Sequence, residues 1–130
     1  MALTWLAGAH LGRGDASRAR ACADEGLATA ERRHTRTVEC IAHIGRARVM
    51  LRTDAVAARA AIESGLGRAL KLVEETGARS NEPFIRVQLA RLAAAVGDEA
   101  THREELREAY RLFVEMGAGP RAERLKAEIG

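Results

Sequence analysis

The feature that most restricts how this chain can fold is a helix-ending dipeptide that recurs along it. Gly14-Asp15 and Gly97-Asp98 each follow one apolar helical stretch and precede another, and Thr53-Asp54 holds the same place between them. Glycine enters the left-handed conformation that ends a helix without steric cost, and aspartate accepts the free N–H groups that open the next. Residues around these stops repeat as well. Moving residues 15–30 forward by 39 places Asp15, Ala19, Gly26, Leu27 and Ala30 on Asp54, Ala58, Gly65, Leu66 and Ala69. Moving the following segment by 40 places Leu72, Glu75, Gly77 and Ala78 on Leu112, Glu115, Gly117 and Ala118. A unit of this length holds one helix–turn–helix, which cannot bury its apolar face alone, so the units must stack on one another.

The pattern predicts an all-α chain with helices near 2–12, 16–32, 36–51, 55–76, 81–96 and 99–116, and a short one near 120–129. The units run over 1–34, 35–78 and 79–118, followed by a terminal helix over 119–130. Gly117 is expected to close the sixth helix, and Gly119-Pro120 puts a proline in the first turn of the last, where its missing N–H does no harm. Pro83 has the same role behind Ser80 and Asn81. With 47% apolar and 30% charged residues the chain is too hydrophobic for intrinsic disorder and too interrupted by charge for a membrane span. The start, Met1 to Leu6, has no basic region and no apolar run of signal-peptide length, which points to a cytoplasmic location.

Small and large residues fall where close helix pairing needs them. Leu3, Leu6, Ala7 and His10 share a face, as do Ala19, Ala23 and Gly26, and Leu89, Ala90 and Ala93 match Leu106 and Ala109. This spacing resembles the tetratricopeptide repeat, with His102 and Arg46 standing where that family sets a small residue and with units longer than its usual length of about 34 residues. The resemblance implies a right-handed α-α superhelix of about three helix pairs, in which the first helix of each pair lines a concave groove. Transferred position by position, the groove residues are Thr4, Gly8 and Leu11, then His43, Ala47 and Met50, then Phe84, Val87, Arg91 and Ala94.

A narrower resemblance covers residues 70–130. Glu74-Glu75-Thr76-Gly77-Ala78-Arg79, Leu89-Ala90-Arg91-Leu92, Gly97-Asp98, Tyr110-Arg111-Leu112-Phe113, Glu115-Met116-Gly117-Ala118 and Ala122-Glu123-Arg124-Leu125 carry it. It is similar to the C-terminal helical region of large bacterial signalling proteins that join a nucleotidyl cyclase or transcription-factor head to an ATPase module. The implied function is a protein–protein interaction or scaffold module forming the regulatory helical part of such a protein, with a protein or peptide partner.

Other motifs carry less chemistry. No serine or cysteine stands in a nucleophile elbow, and no carboxylate pair is isolated in apolar surroundings, so no catalytic constellation and no cofactor site is expected. Glu104, Glu105 and Glu108 beside Arg103, Arg107 and Arg111 read as a solvated, salt-linked face. Gly65-Leu66-Gly67 lacks the third glycine and the strand of a dinucleotide fingerprint and reads as a close helix contact at Gly65. His10, Cys22, Cys40 and His43 offer only one short pair for zinc, so both cysteines are expected in the core. Arg13-Gly14-Asp15 reads as an inter-helix turn of the kind expected at Gly97-Asp98.

Two alternatives remain from the sequence. Arg32, Arg33, Arg36, Arg46, Arg48 and Arg52 form the densest basic cluster, the basis for nucleic-acid binding. Against it stand a formal charge of only +3 and 3% aromatic residues, which leave few platforms for base stacking. The chain also begins inside a helix without a cap, so Leu3, Trp5 and Leu6 are expected to self-associate, giving a homodimer or a contact with a preceding repeat.

Overall fold

The computed structural model describes residues 16–129. These form six α-helices and one short 3-10 turn: α1 Ala16–Arg32, α2 Arg36–Asp54, α3 Arg59–Thr76, the turn Arg79–Asn81, α4 Glu82–Ala95, α5 Glu99–Glu115 and α6 Gly119–Ile129. Among the described residues there is no strand. The expected helix over 2–12 and the Gly14-Asp15 stop lie outside them.

The helix ends follow the stop chemistry read from the sequence. Gly77, Gly97 and Gly117 take φ of 72°, 83° and 74°, the left-handed region that glycine enters freely. After Gly97 and Gly117, the N–H groups of Asp98 and Ala118 donate back to Ala93 and Phe113 carbonyls, satisfying helix-end acceptors. Asp98 then opens α5, accepting from the Thr101 N–H at 3.1 Å and from its hydroxyl at 2.7 Å. His34, at φ 53°, ends α1 in the same way, with the Thr35 N–H donating to the Ala30 carbonyl.

Thr53-Asp54 behaves differently from the two Gly-Asp stops. Without a glycine the chain stays right-handed: Thr53 Oγ1 donates to the Met50 carbonyl, and Ala55 keeps helical angles. The Asp54 carboxylate does accept the Ala57 N–H at 3.2 Å, matching Asp98, but this local turn delays the next helix to Arg59 where the sequence placed it near 55.

Each helix packs on its predecessor, and α2 also touches α4. The core is a string of clusters. Ala19 and Ala23 of α1 meet Val49 of α2. Met50, Ile62, Leu66, Leu72 and Ile85 join α2, α3 and α4. Ala90, Leu106, Ala109, Phe113, Ala122 and Leu125 join α4, α5 and α6. Removing a leucine side chain from water at such positions contributes roughly 1.5–3 kcal/mol. The repeated residues Leu27 and Ala30 on α1, and Leu66 and Ala69 on α3, are all buried, so at these positions the sequence repeat is a repeat of packing, whereas Ala58 is less buried than its counterpart Ala19.

The two non-small residues at pairing positions bridge helices. Arg46 of α2 donates to the Asp24 carboxylate of α1 at 2.7 Å. His102 Nδ1 of α5 lies 2.9 Å from the Ala90 carbonyl oxygen of α4. A polar side-chain bridge links the paired helices at both places.

Candidate functional site

A groove of about 780 Å³ runs across α2, α4 and α6. Each helix presents one face at three- and four-residue spacing, which places its side chains in a line. From α2 come Arg48, Leu51 and Arg52; from α4, Phe84, Val87, Gln88, Arg91 and Ala95; from α6, Arg121, Arg124, Leu125 and Glu128. Phe113 of α5 closes the floor. The volume falls within the range of roughly 300–1,000 Å³ typical of ligand sites.

Five arginines face one glutamate in this groove, an excess of four positive charges that exceeds the formal +3 of the whole chain. The basic character is therefore concentrated here. Arg91 forks onto Glu128 through two hydrogen bonds of 2.8 and 3.0 Å, a geometry suited to guanidinium and carboxylate. Arg121 lies 4.9 Å above the Phe84 ring, and Phe84 meets Phe113 edge to face with centroids 5.3 Å apart. Among the described residues Arg48, Arg52, Arg121 and Arg124 have no carboxylate partner.

The structure brings together Phe84, Val87 and Arg91 of the residues expected to line a groove. Ala47 and Met50 do not join them. Both are fully buried, Met50 within the α2–α3–α4 core, and their neighbours Arg48 and Leu51, with Arg52, face the groove. The face of α2 that meets the groove is rotated by one residue from the one the resemblance implied, with Arg46 held toward α1 by Asp24. Ala94 is exposed but lies outside the groove, and Ala95 takes that place on α4. Thr4, Gly8, Leu11, Leu3, Trp5 and Leu6 lie outside the described residues. The α6 wall was missed in the sequence, although Arg121, Arg124, Leu125 and Glu128 stand at helical spacing just after Gly119-Pro120.

His43 belongs to a different place, the α2–α3 interface. Its Nδ1 lies where a Cβ added at Gly65 would be 3.7 Å away, and this buried nitrogen has no hydrogen-bond partner. Its Nε2 is 3.9 Å from Glu39, which Arg68 also approaches at 3.5 Å. Burial pushes the His43 pKa below the usual histidine range, with the Glu39 and Glu31 carboxylates partly opposing it. Beside it Cys40 is buried, its thiol donating to the Ala69 carbonyl, and burial raises its pKa. Cys22 packs against the α1–α2 cluster, and neither thiol is bonded to another.

The basic cluster over 32–52 is divided by the fold. Arg36 pairs with Glu75 and Arg46 with Asp24, while Arg48 and Arg52 alone of that set enter the groove. The expected salt-linked face of α5 is present in part: Arg111 pairs with Glu108 and Glu115, but Glu105 reaches across to Arg86 of α4 at 3.3 Å. No protein-family model matches the chain, and comparison with curated proteins and with solved structures returns no match.

Proposed function

We propose that this chain is a non-catalytic protein-interaction module of the tetratricopeptide-like kind, whose working surface is the groove formed by α2, α4 and α6. The observation that carries the reading is the convergence of three alternate helices on one arginine-rich, apolar-floored groove. The direct contact between α2 and α4 supports a stack in which alternate helices share a face. The periodic burial of Leu27 and Leu66 supports the same arrangement. In this reading the chain serves as the regulatory helical part of a bacterial signalling protein and recruits a polypeptide partner.

Site-specific photo-crosslinking in the native cell tests it. A crosslinker at Val87, inside the groove, is expected to trap a polypeptide partner, whereas one at Glu104 on the exposed face of α5 traps none. Equal trapping at both positions, or none at Val87, contradicts the proposal. Immunoblotting for the size of the native polypeptide tests the signalling-protein context: a product far larger than 14.0 kDa supports it and one of that size removes it.

A further inference from the structure

We infer that the groove takes an acidic segment of another polypeptide, whose carboxylates displace Glu128 from Arg91 and engage Arg48, Arg52 and Arg124 above an apolar floor. This inference rests on the interaction reading given above and adds the chemistry of the partner.

Charge complementarity is the first argument. The five groove arginines sit against one carboxylate, and four of them, Arg48, Arg52, Arg121 and Arg124, have no acidic partner among the described residues. Guanidiniums gathered without counter-charge repel one another, and an anionic ligand relieves that repulsion. The second argument is the occupant already present. Glu128 is bound by Arg91 in the two-point fork that an incoming carboxylate would use. Both side chains of this pair are between a third and a half exposed, so the contact is weak enough to exchange. Glu128 therefore acts as a tethered competitor at the edge of the groove. The third argument is the floor. Leu51, Val87 and Ala95 offer apolar surface between the charges, which favours a segment alternating acidic and aliphatic side chains.

Single-stranded nucleic acid is the other polyanion to consider, and the aromatic residues argue against it. Phe113 is 3% exposed, and Arg121 covers one face of the half-buried Phe84 while Phe113 meets that ring edge to face, which leaves little aromatic surface for a base to stack on.

The test measures fluorescence anisotropy of the full chain with three labelled probes: a peptide of repeated Glu-Glu-Leu, its Gln-Gln-Leu counterpart, and oligo(dT). The acidic peptide is expected to bind and to weaken with added salt, with the glutamine peptide weaker by about tenfold or more, a difference of roughly 1.4 kcal/mol. Glu128→Gln is expected to tighten the acidic peptide by about two- to fivefold, and Arg91→Gln to loosen it by a similar factor, with helical circular dichroism unchanged in both. A purely structural Arg91–Glu128 pair gives no gain with Glu128→Gln. That result, equal binding of the two peptides, or tighter binding of oligo(dT) overturns the inference. If Val87 crosslinks a partner while the peptides are not distinguished, only the acidic chemistry fails; if Val87 traps nothing, the interaction reading fails with it.

Discussion

Replacing Leu125 with alanine is expected to loosen the docking of α6, and with it one wall of the groove, while leaving α2 and α3 intact. With 11 residues, α6 is shorter than the roughly 12–15 residues at which an isolated helix becomes marginal, so its order depends on docking. Leu125 is its main anchor, 6% exposed against the Phe113 and Leu106 cluster. Cutting a buried leucine to alanine costs about 2–5 kcal/mol in a closed core, and at this edge, where neighbours can relax, about 2–3 kcal/mol. The remaining attachments are individually smaller, beginning with Ala122 and the partly buried Ile129 on the same cluster. Arg121 over Phe84 contributes about 0.5–1 kcal/mol, and the half-exposed Arg91–Glu128 pair at most about 1 kcal/mol. Leu125→Ala therefore removes the largest single contribution to the docking of α6. Native-state hydrogen exchange read by mass spectrometry should show protection over 121–129 falling by about thirty- to a hundredfold, with protection in α2 and α3 unchanged. Unchanged exchange in α6, or an equal fall in every helix, would refute this division of the energy.

Further expectations follow from single residues. Gly67 lies exposed inside α3 with nothing near an added Cβ, so Gly67→Ala should raise stability by about 0.5–1 kcal/mol in urea unfolding. Gly97 also has open space, but its φ of 83° strains any other residue, so Gly97→Ala should lower stability by about 1–2 kcal/mol in the same assay. His43 titrates below its unfolded value of about 6.5, so the unfolded chain takes up a proton that the folded chain refuses. Stability should consequently decline as pH falls below about 6.5. His43→Gln should flatten that decline, and an unaltered pH profile would exclude His43 as its source.

Much of the architecture is legible in the sequence because it is written in local chemistry. The stops at Gly97 and Gly117 need only a left-handed residue and, at Asp98, a side-chain acceptor, both of which single positions declare. His34 reaches the same backbone conformation without glycine, so nothing at that position announces the left-handed turn. Asp54 misleads for a related reason: its acceptor is used, but without glycine the chain turns the other way and α3 begins at Arg59.

The candidate site was legible on α4 at Phe84, Val87 and Arg91, though not at Ala94, and illegible on α2. On α4 the spacing of Phe84, Val87 and Arg91 fixes a face by itself. On α2 the facing residues depend on how the helix rotates, and that rotation accompanies the long-range pairing of Arg46 with Asp24. A shift of one residue exchanged Ala47 and Met50 for Arg48 and Leu51, turning an apolar strip into a basic one. The α6 wall needed knowledge of where the last helix docks, which its own short sequence does not specify.

The most direct test of the central claim is to map amide chemical-shift changes in the ¹⁵N-labelled chain as the Glu-Glu-Leu peptide is added. Shifts gathered over 48–52, 84–95 and 121–128 are the predicted result, since those stretches face the groove. Shifts confined to α1, α3 and the outer face of α5 would place the working surface elsewhere and contradict the account.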